Sequence, residues 1–302
     1  IGGLIDKGLF SLISCMTKKS TGELSAKDII IMKLSSSGVC KWIHQISSNC
    51  NNNYCSGTDS NDYLNDLKTD SSGNIYLVGK IRGQFNDHQS FGNYDGFIIK
   101  LNSQGDIVFS KVVGGNAYDT VNQLHLDNQQ NLYLFGTTEG NTFSDNLHGG
   151  YNLFWMKLNN NYELIWTKQI GIPLLDEINA VIPVEVSNFA IVAKYFNLNN
   201  LKNNIWLLKI DADGEKIWSN EEGQQHDLDV NDMLQDNSGN LYLTGSVKKQ
   251  TELNRDFYFA KYDSNGALVW DKNFGSDAND EMTAIDFDGI SSFYLTGFTE
   301  GN

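Results

Sequence analysis

Proline is nearly missing from this sequence. Two prolines in 302 residues, against 28 glycines, exclude a proline-rich spacer and leave the turns to glycine, asparagine and aspartate. Basic residues are scarce too: 22 Lys and Arg face 37 Asp and Glu, a formal charge of -15. A field of that sign repels phosphate backbones and anionic lipid, so neither nucleic acid nor a membrane surface is an expected partner. Apolar runs are only strand-sized, which leaves nothing to span a membrane as a helix. The four cysteines, Cys15, Cys40, Cys50 and Cys55, form no C-x-x-C pair, and the five histidines, His44, His88, His125, His148 and His226, share no ligand spacing. A zinc site is therefore not expected, and no nucleophile elbow appears.

What the sequence does have is one hairpin written five times. Residues 256–275 read D-F-Y-F-A-K-Y-D-S-N-G-A-L-V-W-D-K-N-F-G, two alternating runs about a tight turn. A Lys closes the first run at Lys33, Lys100, Lys157, Lys209 and Lys261, and the second run carries Trp42, Phe109, Trp166, Trp218 or Trp270 at the same offset. Two further strands recur between hairpins. One ends in Asp70, Asp127, Asp236 or Asp288, and the other carries Tyr76, Tyr133, Tyr242 or Tyr294, followed by Gly79, Gly136, Gly245 or Gly297. In one copy these positions have become Val184, Ala190 and Ala193, yet the strand-like V-I-P-V and F-A-I-V remain.

Four strands per unit, here called A to D, at a period of this size mark the blades of a propeller. The expectation is a single all-β domain over residues 1–302, a β-propeller of four-stranded antiparallel blades, with units at roughly 1–46, 62–113, 119–170, 176–220 and 228–273 and a partial unit at 280–302. The last unit is half written. Either the chain belongs to a larger ring, or its end completes a five-bladed ring with residues 28–46. A strand at 9–14, which closure would leave unused, favours the larger ring. The repeated Trp, Phe109 and Tyr residues read as scaffold, large apolar wedges between blades.

The pattern D-x-F-x-x-K-L-D-x-x-G-x-x-x-W, followed by a strand ending in D and then G-N-x-Y-L-x-G, resembles the bacterial β-propeller repeat (SBBP) family over nearly the whole chain. The resemblance implies an extracellular or cell-envelope setting and no catalytic residue. A rival likeness, to the tryptophan-docking repeats of quinoprotein dehydrogenases, suffers from a turn one residue too short at Asp211 and from the lack of adjacent cysteines. Cys40, Cys50 and Cys55 cluster around an insertion, which suits disulfides in an exported protein, with three connectivities open. Leu12-Ile13-Ser14-Cys15 looks like a lipoprotein lipobox, with a lipid anchor at Cys15, although a plain strand is the favoured reading.

The A–B and C–D turns are short and uniform, whereas the B–C and D–A loops vary (80–94, 138–150, 195–202, 246–254). Variable loops on a rigid scaffold are where binding sits. On that face Asp62, Asp119, Asp176 and Asp280 fall in register, with Leu228 between Asp227 and Asp229 in the remaining copy; three residues further on stand Asn65, Asn122, Asn179 and Asn231, with Thr283 in the last copy. Rings of carboxylates and amides suit a polar ligand or a cation, calcium being the natural one. The competing and favoured reading is structural, because each copy must cap the same turn. Phe85, His88, Phe91, Phe143 and His148 lie in the variable loops, either as exposed ligand anchors or as plugs of their own loops. The function expected is a cell-surface scaffold binding a protein or glycan without cofactor or catalysis. The alternative is a propeller glycosidase or polysaccharide lyase working through paired carboxylates.

Overall fold

The computed structural model describes residues 28–48, 61–86, 88, 91–139, 150–171, 175–185, 187–223, 226–249 and 253–301. Among them there is no helix. Twenty strands form four four-stranded and two two-stranded antiparallel sheets, each with its strands in chain order. This is the all-β architecture expected from the repeat, a β-propeller-like succession of blades in which no sheet closes on itself. The chain divides into two compact units, Ile1–Leu126 and Asp127–Asn302.

The first unit holds the hairpin β1 (Ile29–Leu34) and β2 (Cys40–Ile46), then the blade β3 (Tyr63–Thr69), β4 (Ile75–Ile81), β5 (Asp95–Leu101) and β6 (Ile107–Val113), then β7 (Asp119–Leu126). The middle strands β4 and β5 are buried on both faces, so they read I-Y-L-V and F-I-I rather than alternating. Ile29, Ile31 and Ile46 of the first hairpin pack with Leu77, Phe97 and Ile99 in one apolar cluster, joining one sheet face to the next.

The second unit opens with β8 (Leu132–Glu139), β9 (Tyr151–Leu158) and β10 (Leu164–Gly171). Two complete blades follow. They are β11 (Leu175–Val184), β12 (Asn188–Asn197), β13 (Lys202–Ile210) and β14 (Lys216–Glu222), then β15 (Asp227–Gln235), β16 (Leu241–Lys248), β17 (Asp256–Tyr262) and β18 (Leu268–Phe274). The hairpin β19 (Asp280–Phe287) and β20 (Phe293–Thr299) ends it. One apolar cluster links β8 and β9 to β11–β13, and another links β11–β13 to β15–β17.

The repeated Tyr, Lys and aromatic form one row across three of the four-stranded sheets. Tyr76 faces Lys100, which faces Phe109; Tyr242 faces Lys261, which faces Trp270. The Lys100, Lys157 and Lys261 ammonium groups lie 5.0, 4.8 and 5.3 Å over the Tyr76, Tyr133 and Tyr242 rings, where the ring quadrupole attracts the cation. Where Ala190 replaces the tyrosine, the column offers Lys209 no ring, and Lys209 pairs with Glu185 at 2.7 Å instead. Trp218 reaches the neighbouring blade: its indole N–H donates to Ser264 O at 3.2 Å, and its ring covers Gly266. Trp42 and Trp166 cover Gly105 and Gly214 in the same way.

Four first strands carry a bulge. Asn65, Asn179, Asn231 and Thr283 stand at the register shifts of β3, β11, β15 and β19, where the partner strand supplies no residue opposite. Beside three of these bulges the second strand has Gly79, Gly245 or Gly297, and a methyl group there would overlap the carbonyl oxygen of Tyr63, Asp229 or Glu281. Ala193 occupies this position in the divergent blade, whose β11 carries a second irregularity between Leu175 and Glu177. Gly245→Ala is therefore expected to destabilise the protein by about 2–4 kcal/mol, seen as a lower urea midpoint. Gly289→Ala, where the methyl meets nothing within 4 Å and only the φ of 77° resists, costs about 1 kcal/mol. Equal losses would contradict the bulge account.

Candidate functional site

Antiparallel meanders put the A–B and C–D turns on one face of a blade and the B–C and D–A connections on the other. The first face is closed on itself. Asp70, Asp127 and Asp236 each accept two backbone N–H groups and an asparagine amide within their own turn. Asp211 accepts from the Asp213 and Glu215 N–H groups at 2.9 Å each, so D-A-D-G is an ordinary hairpin turn.

On the opposite face the aspartates in register cap loops. Asp62, 4% exposed, accepts from Ser48 N–H and Ser48 Oγ at 2.7 Å each and from Arg82 N–H at 3.3 Å. Asp119, fully buried, accepts from Gly115 N–H at 2.7 Å, and Asp280 accepts from Ser276 N–H and Oγ. Asp176 falls in β11, with its side chain outside the described residues. Asp119 and Asp280 each also have a carboxylate neighbour from another strand. A methyl on Gly114 would lie 2.6 Å from Asp119 Oδ2 and 2.8 Å from Asp95 Oδ1, and Gly275 stands likewise between Asp280 and Asp256. The Asp95 carboxylate in turn accepts from Phe91 and Gly92 N–H. These carboxylate pairs thus clamp the glycine after strand D between two capped loops.

The asparagines three residues on act between blades. The Asn65 amide donates to Thr120 Oγ1 at 2.9 Å and Val121 O at 2.8 Å, while the adjacent Asp66 accepts from Leu124 N–H at 3.1 Å. Asn231 donates to Glu281 Oε1 and Met282 O at 2.7 Å each, and Asp232 accepts from Ile285 N–H at 3.0 Å. The two sets match along the repeat in their backbone partners, with the Thr120 hydroxyl in one replaced by the Glu281 carboxylate in the other. Asn122 and Asn179 occupy the corresponding positions of β7 and β11, each with a buried side-chain oxygen that has no hydrogen-bond partner among the described residues.

The variable-loop residues divide. Phe85 is buried in the apolar cluster and plugs its own loop, and the ring of His88 meets Ser110 O at 2.9 Å. Phe91 is 54% exposed. Phe143 and His148 lie outside the described residues, as do Cys15, Cys50 and Cys55. Cys40 is disulfide-bonded.

Positions that depart from the repeat gather on this same face. In the second unit they make a chain of ion pairs: Lys194 with Glu177 (3.4 Å) and Asp229 (3.2 Å), and Arg255 with Asp229 (2.9 Å) and Asp227 (3.2 Å). Burial works against the Lys194 charge, but Asp229 and Glu177 outweigh it and hold the ammonium above its ordinary range. The equivalent positions of the first unit are Tyr63, Lys80, Tyr94 and Tyr118. Reading each column of the repeat for its exceptions, rather than for its consensus, would have found both sets.

Two aspartates of the same register titrate in opposite directions. Burial pushes Asp62 from 3.8 up to about 6 against the pull of its Ser48 hydrogen bonds, whereas the Thr299 hydroxyl and Ser276 N–H hold Asp280 below its ordinary value. Between pH 4 and 6 the folded chain keeps an Asp62 proton that the unfolded chain has lost. Its stabilisation is therefore full below pH 4 and falls by about 3 kcal/mol as pH rises through 6. A carboxyl-carbon NMR titration is expected to place the Asp62 midpoint near 6 and that of Asp280 below 3.8; coincident midpoints would contradict this.

No family model matches the sequence, and no curated protein matches it. Among solved structures, a crystal structure of a eukaryotic initiation factor aligns at 11% identity and a TM-score of 0.32, covering 70% of this chain. The chain spans 55% of that protein's length. A likeness of this degree assigns neither fold nor function.

Proposed function

We propose that this chain is an exported or cell-surface β-propeller scaffold that binds a protein or glycan through its B–C/D–A loop face and carries out no catalysis. One observation carries the reading: the polar side chains that follow the repeat are spent on the scaffold itself. Asp62, Asp119 and Asp280 accept loop N–H groups, and Asn65 and Asn231 hold a neighbouring strand. A catalytic carboxylate pair needs oxygens directed at a substrate, and these are directed at backbone. The side chains that break the repeat lie on the loop face, where binding residues are expected.

The resemblance to the bacterial SBBP repeat supports a cell-envelope setting, and so does the disulfide at Cys40, since such bonds persist in oxidising compartments. The acidic balance, -15 overall, supports a partner other than nucleic acid.

Measuring binding and reducing-end release on one panel of polysaccharides and envelope proteins tests the reading. Binding without release is expected, weakened by Phe91→Ala on the loop face and unchanged by Asp211→Ser on the other. Reducing-end release that Asp119→Asn abolishes would overturn the reading in favour of a glycosidase or lyase.

A further inference from the structure

In the first unit three tyrosines of the loop face converge on a single atom. Tyr63 opens β3 and faces Lys80 of β4 directly across the ladder. The Lys80 ammonium lies 4.8, 5.4 and 5.0 Å from the ring centres of Tyr63, Tyr94 and Tyr118, and it donates to the Tyr118 hydroxyl. Tyr94 lies tilted against both other rings, at 6.2 and 5.4 Å, and the Arg82 guanidinium lies 5.6 Å from its centre. All four residues of this cage are half-buried, and Phe91 stands exposed on the loop that leads into Tyr94.

The repeat supplies the comparison that gives this cage meaning. In the next unit Lys194 sits at the Lys80 position, and it is neutralised by Glu177 and Asp229. Lys80 makes no ion pair among the described residues; its partners are three rings and one phenol. A half-buried ammonium with polarisable walls and no counter-ion among the described residues, in a chain of charge -15, is complementary to an anion. The overall field disfavours a dense polyanion, so the ligand should carry isolated carboxylates. Phenol faces take the C–H face of a pyranose ring, and phenol hydroxyls and the ammonium take its oxygens.

From this we propose that Tyr63, Lys80, Tyr94 and Tyr118 form a subsite for a uronate-bearing saccharide, with Lys80 holding the sugar carboxylate and the tyrosines its ring. The inference rests on the loop-face reading and narrows it to acidic glycans.

Trigalacturonate, its fully methyl-esterified neutral form and a tetraglutamate peptide, each titrated into the full chain with labelled tyrosine rings, provide the test. The acidic trisaccharide should shift the Tyr63, Tyr94 and Tyr118 resonances, with the ester and the Lys80→Met variant each binding about 10-fold or more weakly. Thermal unfolding of each variant controls for folding, and Tyr118→Phe, which removes only the hydroxyl that accepts from Lys80, replaces Lys80→Met if that chain unfolds. Equal binding of acid and ester, or shifts confined to other residues, would overturn the subsite and leave loop-face binding standing. Shifts produced at these rings by the peptide alone would overturn it in favour of a protein ligand. Shifts from none of the three would overturn the subsite, while the polysaccharide and protein panel decides the broader reading separately.

Discussion

The structure depends on how the first strand of a blade satisfies its unpaired edge. Such a strand has a ladder on one side only, so the peptide groups on its other side meet the next blade without a strand to bond. The bulge solves this. By ejecting one residue from the ladder it aims Asn65 or Asn231 sideways, so that the amide donates to a carbonyl of the neighbouring first strand. The aspartate that follows accepts an N–H three residues further along that strand. Two side chains thus replace the missing ladder, and a buried N–H left without its acceptor would cost about 1–3 kcal/mol.

Other repeated features serve the same stacking. The Tyr–Lys–aromatic row crosses three of the four-stranded sheets, and Trp42, Trp166 and Trp218 each extend over the turn glycine of the next blade, where a side chain would collide with the ring. The divergent blade shows what can vary. With Ala190 in place of tyrosine, Lys209 turns to Glu185, and the sheet keeps its four strands. What has to be conserved is therefore a partner for the lysine rather than a particular one.

Much of the fold was legible because a repeat states its constraints several times. The strands, the turns and the lysine and aromatic columns were all visible as alternation and spacing. The bulge was not, because one extra residue leaves no mark in composition; only Gly79, Gly245 and Gly297 hinted at a close backbone approach. The candidate site was less legible for a related reason. Columns of Asp and Asn draw attention because they recur, yet recurrence means that each blade solves the same local problem. Asp62 and Asn65 are engaged with Ser48 and Val121 rather than with solvent. Tyr63 and Tyr118 have no counterpart along the repeat and Lys80 and Tyr94 have only Lys194 and Tyr151, so only the tertiary fold brings these stretches of chain around one ammonium. Reading Asp62 and Asp119 as a ring also hid the second carboxylates, Asp95 and Asp256, which belong to a different strand of the blade.

The central claim is that polar residues which follow the repeat hold blades together, leaving recognition to those that break it. Amide hydrogen exchange in the Asp66→Ala and Asp232→Ala variants tests it most directly. Leu124 and Ile285, which donate to these carboxylates, should exchange about 10-fold faster or more, while ladder amides such as Val78 and Leu243 keep their protection. Unchanged exchange at Leu124 and Ile285 would contradict the account, because the aspartates would then be free to act elsewhere.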